Sequence, residues 1–161
     1  MSGNPEAGCI FCAILDGRAE ASFVHRDELC SAFMTIEPVN AGHVLVVPNA
    51  HADNLLDMPP ATAARMMQVA QKVAAAFFPA GLGGEGFNLM MCNGEAAGQT
   101  VFHAHLHVSP RHAGDGFSWT LPAHCAQPPA REQLDALALR LRRVLEMAPD
   151  AAPATAANLD S

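Results

Sequence analysis

The sequence predicts an α+β fold with a mostly antiparallel β-sheet of about five strands, one long helix and a C-terminal helix. Short apolar runs bounded by turn signals indicate strands, most clearly the valine-rich run HVLVVP at 43–48. Two longer stretches repeat apolar residues at the three-to-four-residue spacing of a helical face. The chain has 161 residues, which is enough for one domain with a hydrophobic core.

The same patterns place each element along the chain. The predicted elements are strands at 21–26, 29–34 and 43–48, a helix over 59–78, strands at 87–92 and 102–109, and a helix over 131–147. The apolar face of the long helix is predicted to consist of Ala63, Met66, Met67, Ala70, Val73, Ala74 and Phe77. We expect one domain over 1–147, with its core at 9–111, followed by a disordered Ala/Pro-rich tail at 148–161.

Composition and charge exclude several classes of function. The net charge of −7 argues against a nucleic-acid polymer as partner, because a phosphate chain needs a basic surface, but it leaves room for a small nucleotide. No apolar run approaches the roughly 20 residues that span a membrane, and the N-terminus lacks the pattern of a secretory signal. Five cysteines, an odd number, do not suit a full disulfide framework. We therefore expect a cytoplasmic protein with no membrane partner.

The segment HAHLHV places three histidines two residues apart. His103, His105 and His107 alternate with apolar residues, so on a strand the three imidazoles would line one face while the apolar residues enter the core. Such a row of imidazoles can bind a metal, attack an electrophile or act in general acid–base catalysis. The loop that precedes it, CNGEAAGQT, contains glycines and uncharged hydrogen-bond donors, which suits an anion.

The N-terminal segment CIFC pairs Cys9 with Cys12. A single CxxC pair is compatible with half of a zinc site, a redox pair or two buried cysteines. A redox pair is expected in a thioredoxin-like βαβ context, which this segment lacks, and tetrahedral zinc needs two further ligands. The pair alone therefore leaves the metal and core interpretations open.

Three stretches together resemble the histidine triad (HIT) family of nucleotide hydrolases and transferases, in its bacterial-type form with an N-terminal CxxC. They are CIFCAILDG, AGHVLVVPNAH and NGEAAGQTVFHAHLHVSPR, so the resemblance covers roughly 9–111. It implies a HIT-like fold and an enzyme in which His105 attacks the α-phosphorus of a purine nucleotide conjugate. The conjugate would be a phosphoramidate or a dinucleoside polyphosphate, and water would release the covalent nucleotidyl-histidine. The alternative is a nucleotide-binding regulatory protein with little turnover.

The resemblance also assigns residues to the substrate. His107 would hold the phosphate or orient the site, His43 would be structural, and the phosphate or leaving group would be contacted by Asn93, Gly98, Gln99 and Thr100. Positions that sandwich a purine base in similar proteins are Ile10, Phe11, Ile14, Phe33 and Ile36, although ordinary core packing explains each of them equally well. Thr35 stands where the family usually carries Asp or Asn for the ribose hydroxyls, and a threonine can make fewer of these bonds.

The resemblance finally implies a metal and a partner copy. In part of the family, the CxxC pair and two histidines hold a structural zinc, and the matching residues are Cys9, Cys12, His51 and His103. No organic cofactor is expected. Similar proteins are commonly homodimers joined through the sheet edge and the long helix, so we expect a homodimer here.

Overall fold

The computed structural model of the protein describes residues 8–147 and confirms the α+β class. The chain divides into two compact units between Asp115 and Gly116, and each is described by itself. The predicted tail at 148–161 lies outside the described residues. Among the helices within residues 8–147, none has the length and apolar character needed to cross a bilayer.

The elements of the first unit are α1 Ile10–Leu15, β1 Phe23–Arg26, β2 Cys30–Met34, β3 Val44–Pro48, α2 Pro60–Ala76, β4 Gly86–Met90 and β5 Leu106–Arg111. Its strands form one five-stranded antiparallel sheet with the order β1-β2-β3-β5-β4. Single turns of 3₁₀ helix lie at Leu55–Asp57 and Glu95–Ala97. In the second unit, a 3₁₀ turn at Ala123–Ala126 is followed by α3, Arg131–Met147, with the predicted helix boundaries.

The central strand β3 explains why its sequence is an unbroken apolar run. All five of its residues are buried, and the four from Val44 to Val47 alternate between two hydrophobic clusters. Val46 packs in the cluster that contains Met66 of α2, while Val47 packs in the cluster that contains Phe11 of α1. A strand that is covered on both faces cannot show the alternation of polar and apolar residues seen at a solvent-facing sheet.

The buried face of α2 differs from the predicted apolar face, because one predicted residue is exposed and two residues outside the set, Thr62 and Val69, are buried. Met66 and Ala70 are buried, whereas Met67 of the same predicted apolar face is 51% exposed. Val69, which was not in the predicted set, is 1% exposed. Adjacent helical positions are about 100° apart, so Met66 faces the core while the next residue lies beside the buried face.

The last strand begins later than predicted. The prediction was a strand over 102–109, whereas β5 starts at Leu106, so His103 and His105 precede the sheet and His107 lies in it. The physical reason is a long-range bond: the Ala104 N–H donates to the carbonyl of Ala52 at 2.7 Å instead of to a neighbouring strand. The apolar residues between the histidines nevertheless enter the core beside α2, as expected.

Asp27 connects the β1–β2 hairpin to α2. Its Oδ1 accepts the backbone N–H groups of Leu29 and Cys30, each at 2.9 Å. Its Oδ2 lies 2.7 Å from His25 Nε2 and accepts from Arg65 Nε of α2 at 2.8 Å. These bonds hold the pKa of the Asp27 carboxyl well below its ordinary value, and the bond with His25 contributes most.

We predict that Asp27→Asn lowers the free energy of unfolding by about 1–3 kcal/mol, because the amide nitrogen that replaces Oδ2 cannot accept from Arg65. The pKa of Asp27 is depressed by folding, so its stabilisation is present above the unfolded pKa and is lost as the pH falls below it. Urea unfolding between pH 7 and pH 2 measures both effects. The matched control is Asp16→Asn, whose ion pair with Arg18 is exposed and should matter little. Equal losses in the two variants would contradict the prediction.

Candidate functional site

The three histidines form a compact group beside α1. His103 and His105 are 0% and 5% exposed, and the rings of His105 and His107 lie 4.9 Å apart between centroids. Phe11 packs edge-on against both His103 and His105, at 5.8 and 5.3 Å. The structure therefore brings the three predicted histidines together, although two of them lie outside the strand.

His105 has a defined proton arrangement. Its Nδ1 lies 2.8 Å from the backbone carbonyl of His103, so Nδ1 carries the proton and Nε2 carries the lone pair. Burial lowers the pKa of His105, and the bond to His103 raises it less. The ring is therefore neutral near pH 7, which is the form of imidazole that can act as a nucleophile.

His107 is oriented by His43, a residue for which the sequence indicated only a structural role. The Val39 N–H donates to His43 Nδ1 at 3.1 Å, so the proton of His43 is on Nε2. That nitrogen lies 3.0 Å from His107 Nδ1 and donates to it, which leaves the proton of His107 on its Nε2. Burial, followed by the charges of His105 and His43, lowers the pKa of His107 to about 4.

The predicted phosphate loop contains both exposed and buried side chains. Gly94 and Gly98 have positive φ angles of 85° and 86°, which favour glycine, and they bracket the 3₁₀ turn at Glu95–Ala97. Thr100 is exposed, and Asn93 is exposed with its Oδ1 accepting the Leu55 N–H at 2.8 Å. Gln99, by contrast, is buried.

The four predicted metal ligands converge. One donor atom from each of Cys9, Cys12, His51 and His103 lies within 4.8 Å of the other three. Cys9 Sγ is 3.4 Å from His103 Nδ1, and Cys12 Sγ is 3.3 Å from His51 Nδ1. Tetrahedral zinc with ordinary bond lengths separates sulfur and nitrogen ligands by about 3.5 Å. Two thiols and two imidazoles at these distances fit a zinc ion.

The outer nitrogens of both histidines are held as metal ligands require. His103 Nε2 donates to the carbonyl of Pro48 at 2.9 Å, and His51 Nε2 donates to Asp53 Oδ1 at 3.0 Å. Each bond fixes the proton on Nε2 and leaves the lone pair of Nδ1 directed at the two cysteines. The CxxC pair is thus part of a Cys2His2 cluster in the fold.

The residues expected around a purine differ widely in exposure. Ile36 is 96% exposed and Ile10 is 50% exposed, whereas Ile14 and Phe33 belong to the buried cluster beside α1. Thr35 is partly buried, and its Oγ1 accepts the backbone N–H of Glu37 at 3.2 Å. Phe11 reaches from that cluster to His105, so the apolar residues extend from the core to the histidines.

Solved structures of two HIT proteins are similar to this chain. A HIT family protein from Bacillus anthracis is similar with a TM-score of 0.77 and 38% identity, covering 85% of this chain and 96% of that one. A Zn-bound histidine triad family protein from Mycobacterium smegmatis has a TM-score of 0.67 and 39% identity, covering 89% of this chain and 99% of that one.

Comparison of sequences also finds HIT proteins. The adenylylsulfatase HINT3 of Arabidopsis thaliana is 35% identical over 114 residues, which are 71% of this chain and 57% of that protein. The chain thus spans little more than half the length of that relative. The HIT domain family matches residues 16–114, most of the first unit. Together with the His103–His107 motif in its folded context, this match shows that the chain belongs to the HIT domain family.

Proposed function

We propose that this protein cleaves purine nucleotide conjugates at the α-phosphorus through a covalent nucleotidyl-histidine on His105. The observation that carries the proposal is the bond from His105 Nδ1 to the His103 carbonyl, which leaves the Nε2 lone pair on a neutral ring. The loop at 93–100, which directly precedes the three histidines in sequence, contains the exposed hydrogen-bond donors Asn93 and Thr100. Phosphoramidates and dinucleoside polyphosphates are the two substrate classes that we propose.

The first step forms a bond from His105 Nε2 to the α-phosphorus and breaks the bond to the leaving group. The leaving group departs with the bonding electron pair and takes a proton from solvent. The imidazole gains positive charge, and the His103 carbonyl stabilises that charge because it already accepts from Nδ1. Holding this acceptor in place before the reaction avoids reorganisation at the moment of attack.

The second step returns the histidine to its starting form. Water attacks the phosphorus, the N–P bond breaks with its electron pair returning to Nε2, and a proton from the water passes to solvent. During both steps, His107 Nε2–H, the Asn93 amide and the Thr100 hydroxyl donate to the phosphate oxygens, while Gly98 permits close approach of the backbone. The exposed positions of Asn93 and Thr100 support these roles.

The nucleoside would lie along the apolar residues near α1. We assign the purine to Ile10, Phe11, Ile14, Phe33 and Ile36, and the ribose to Thr35. The Thr35 hydroxyl already accepts from Glu37, so it offers a ribose fewer bonds than a carboxylate would.

We propose a structural zinc and a homodimer. Zinc bound by Cys9, Cys12, His51 and His103 would tie the start of α1 to the chain just before β5, and we propose no organic cofactor. The position of β4 at one edge of the sheet supports pairing with a second copy, and Phe87 of this strand is 52% exposed. The exposed Met67 of α2 supports a helix contribution to the same interface.

His105→Ala is expected to lower kcat at least a thousandfold with adenosine phosphoramidate and with dinucleoside tetraphosphate, because the nucleophile is absent. Rapid acid quench and intact mass should show a nucleotide adduct on the unaltered protein and none on the variant. The control is His112→Ala, since His112 is exposed and outside the triad. Nucleotide binding without product or adduct would favour the regulatory alternative.

His43→Leu is expected to lower kcat by about 10- to 100-fold, because His107 loses the donor that fixes its proton on Nε2. His43→Gln should recover part of the loss, since its amide can donate. A protonated His43 is one of the causes that lower the pKa of His107, so its removal should raise that pKa, which an NMR titration of the His107 ring measures. An unchanged pKa of His107 in the leucine variant would argue against this role.

Zinc removal is expected to lower Tm by on the order of 10 °C, because ligand binding to the folded state contributes directly to its stability. Elemental analysis should give one zinc per chain, and Cys12→Ser should lose it. Cys125→Ser, at an exposed cysteine outside the cluster, should retain zinc and Tm. A metal-free protein with unchanged Tm would refute the structural role.

A further inference from the structure

Gln99 is the buried residue of an otherwise exposed stretch, Glu95–Thr100. It is 5% exposed, and its side chain joins two segments that are distant in sequence. Its Oε1 accepts the Gly94 N–H at 2.7 Å within its own loop. Its Nε2 donates to the carbonyl of Asp53 at 2.5 Å and to that of Val101 at 3.0 Å.

These three bonds use both amide protons of Gln99 and an acceptor site of its oxygen. To donate to a phosphate, the side chain would have to abandon one of the two carbonyls. The geometry also explains why glutamine suits this position: two carbonyls face the nitrogen and one N–H faces the oxygen. A glutamate would direct a carboxylate oxygen at two carbonyl oxygens.

The segment that Gln99 binds also carries a ligand of the Cys2His2 cluster. Asp53 accepts from His51 Nε2 through its side chain, while its backbone carbonyl accepts from Gln99. Two further bonds fasten the same segment to the motif region, from the Leu55 N–H to Asn93 Oδ1 at 2.8 Å and from the Ala104 N–H to the Ala52 carbonyl at 2.7 Å. Gln99 therefore lies between the cluster and the loop.

We propose that Gln99 is a positioning residue that fixes the loop at 93–100 to the segment at 51–55 and so couples the metal cluster to that loop. This replaces the phosphate contact that the family resemblance implied for Gln99. When the segment that carries His51 is held in place, the bond from Gln99 to the Asp53 carbonyl holds the Gln99 side chain, and its Oε1 in turn holds the Gly94 amide. The proposed function supplies the role of the loop as a phosphate site, but the coupling itself involves no nucleotide.

The test compares Gln99→Met and Gln99→Glu in the zinc-loaded full chain without nucleotide. Amide exchange at Gly94 and Leu55, measured by NMR, should accelerate at least tenfold in Gln99→Met, which has a similar length but forms no such bonds. Gln99→Glu keeps an acceptor for Gly94 and loses both donors, so exchange at Gly94 should change less. Both variants should lose zinc to a chelator about three- to tenfold faster than the unaltered protein.

Thr100→Ala is the matched comparison, since Thr100 is the exposed neighbour that we assign to the phosphate. It should weaken nucleotide turnover while leaving exchange and zinc release unchanged. A Gln99→Met protein with unaltered exchange at Gly94 and unaltered zinc release would overturn the coupling, as would a chain that binds no zinc. Because these measurements need no substrate, they remain decisive even if His105 proves inactive towards nucleotides.

Discussion

The hydrogen bond from His105 Nδ1 to the carbonyl of His103 is the constraint on which the site depends. It selects the tautomer of His105, and both of its partners lie in the stretch that precedes β5. The Ala104 N–H between them donates to the Ala52 carbonyl, and the strand starts two residues later at Leu106. The backbone that fixes this proton is therefore held by a long-range bond and not by the sheet ladder.

His103 belongs both to the Cys2His2 cluster and to the group of three histidines. Its Nδ1 faces Cys9 and Cys12, its Nε2 donates to Pro48, and its carbonyl holds the ring of His105. A displacement of this one residue would change both the metal cluster and the orientation of the neighbouring ring. Phe11, which lies between the two cysteines in sequence and packs on both rings, adds a second physical link.

The sequence predicted the helices and strands whose pattern is local. It missed side-chain contacts that depend on how two strands are paired. The unbroken apolar run of β3 and the helical period of α2 were sufficient to predict both elements. The role of His43 was not visible, because it depends on the pairing of Leu45 with His107, which makes His43 a diagonal neighbour of that histidine. Likewise, glutamine and threonine at 99 and 100 are both plausible phosphate donors in sequence, and burial separates them only in the fold.

The electrostatics of the histidines follow from burial more than from charge. Burial is the first cause that lowers the pKa of His43, His105 and His107, and the charges of His105 and His43 lower the pKa of His107 further. Neutral rings keep a nucleophilic lone pair on His105 without positive charge around it. A phosphate oxygen placed against His107 Nε2–H would act in the opposite direction, since a nearby anion raises the pKa of an imidazole. The affinity of His107 for a proton would thus increase when an anionic ligand is bound.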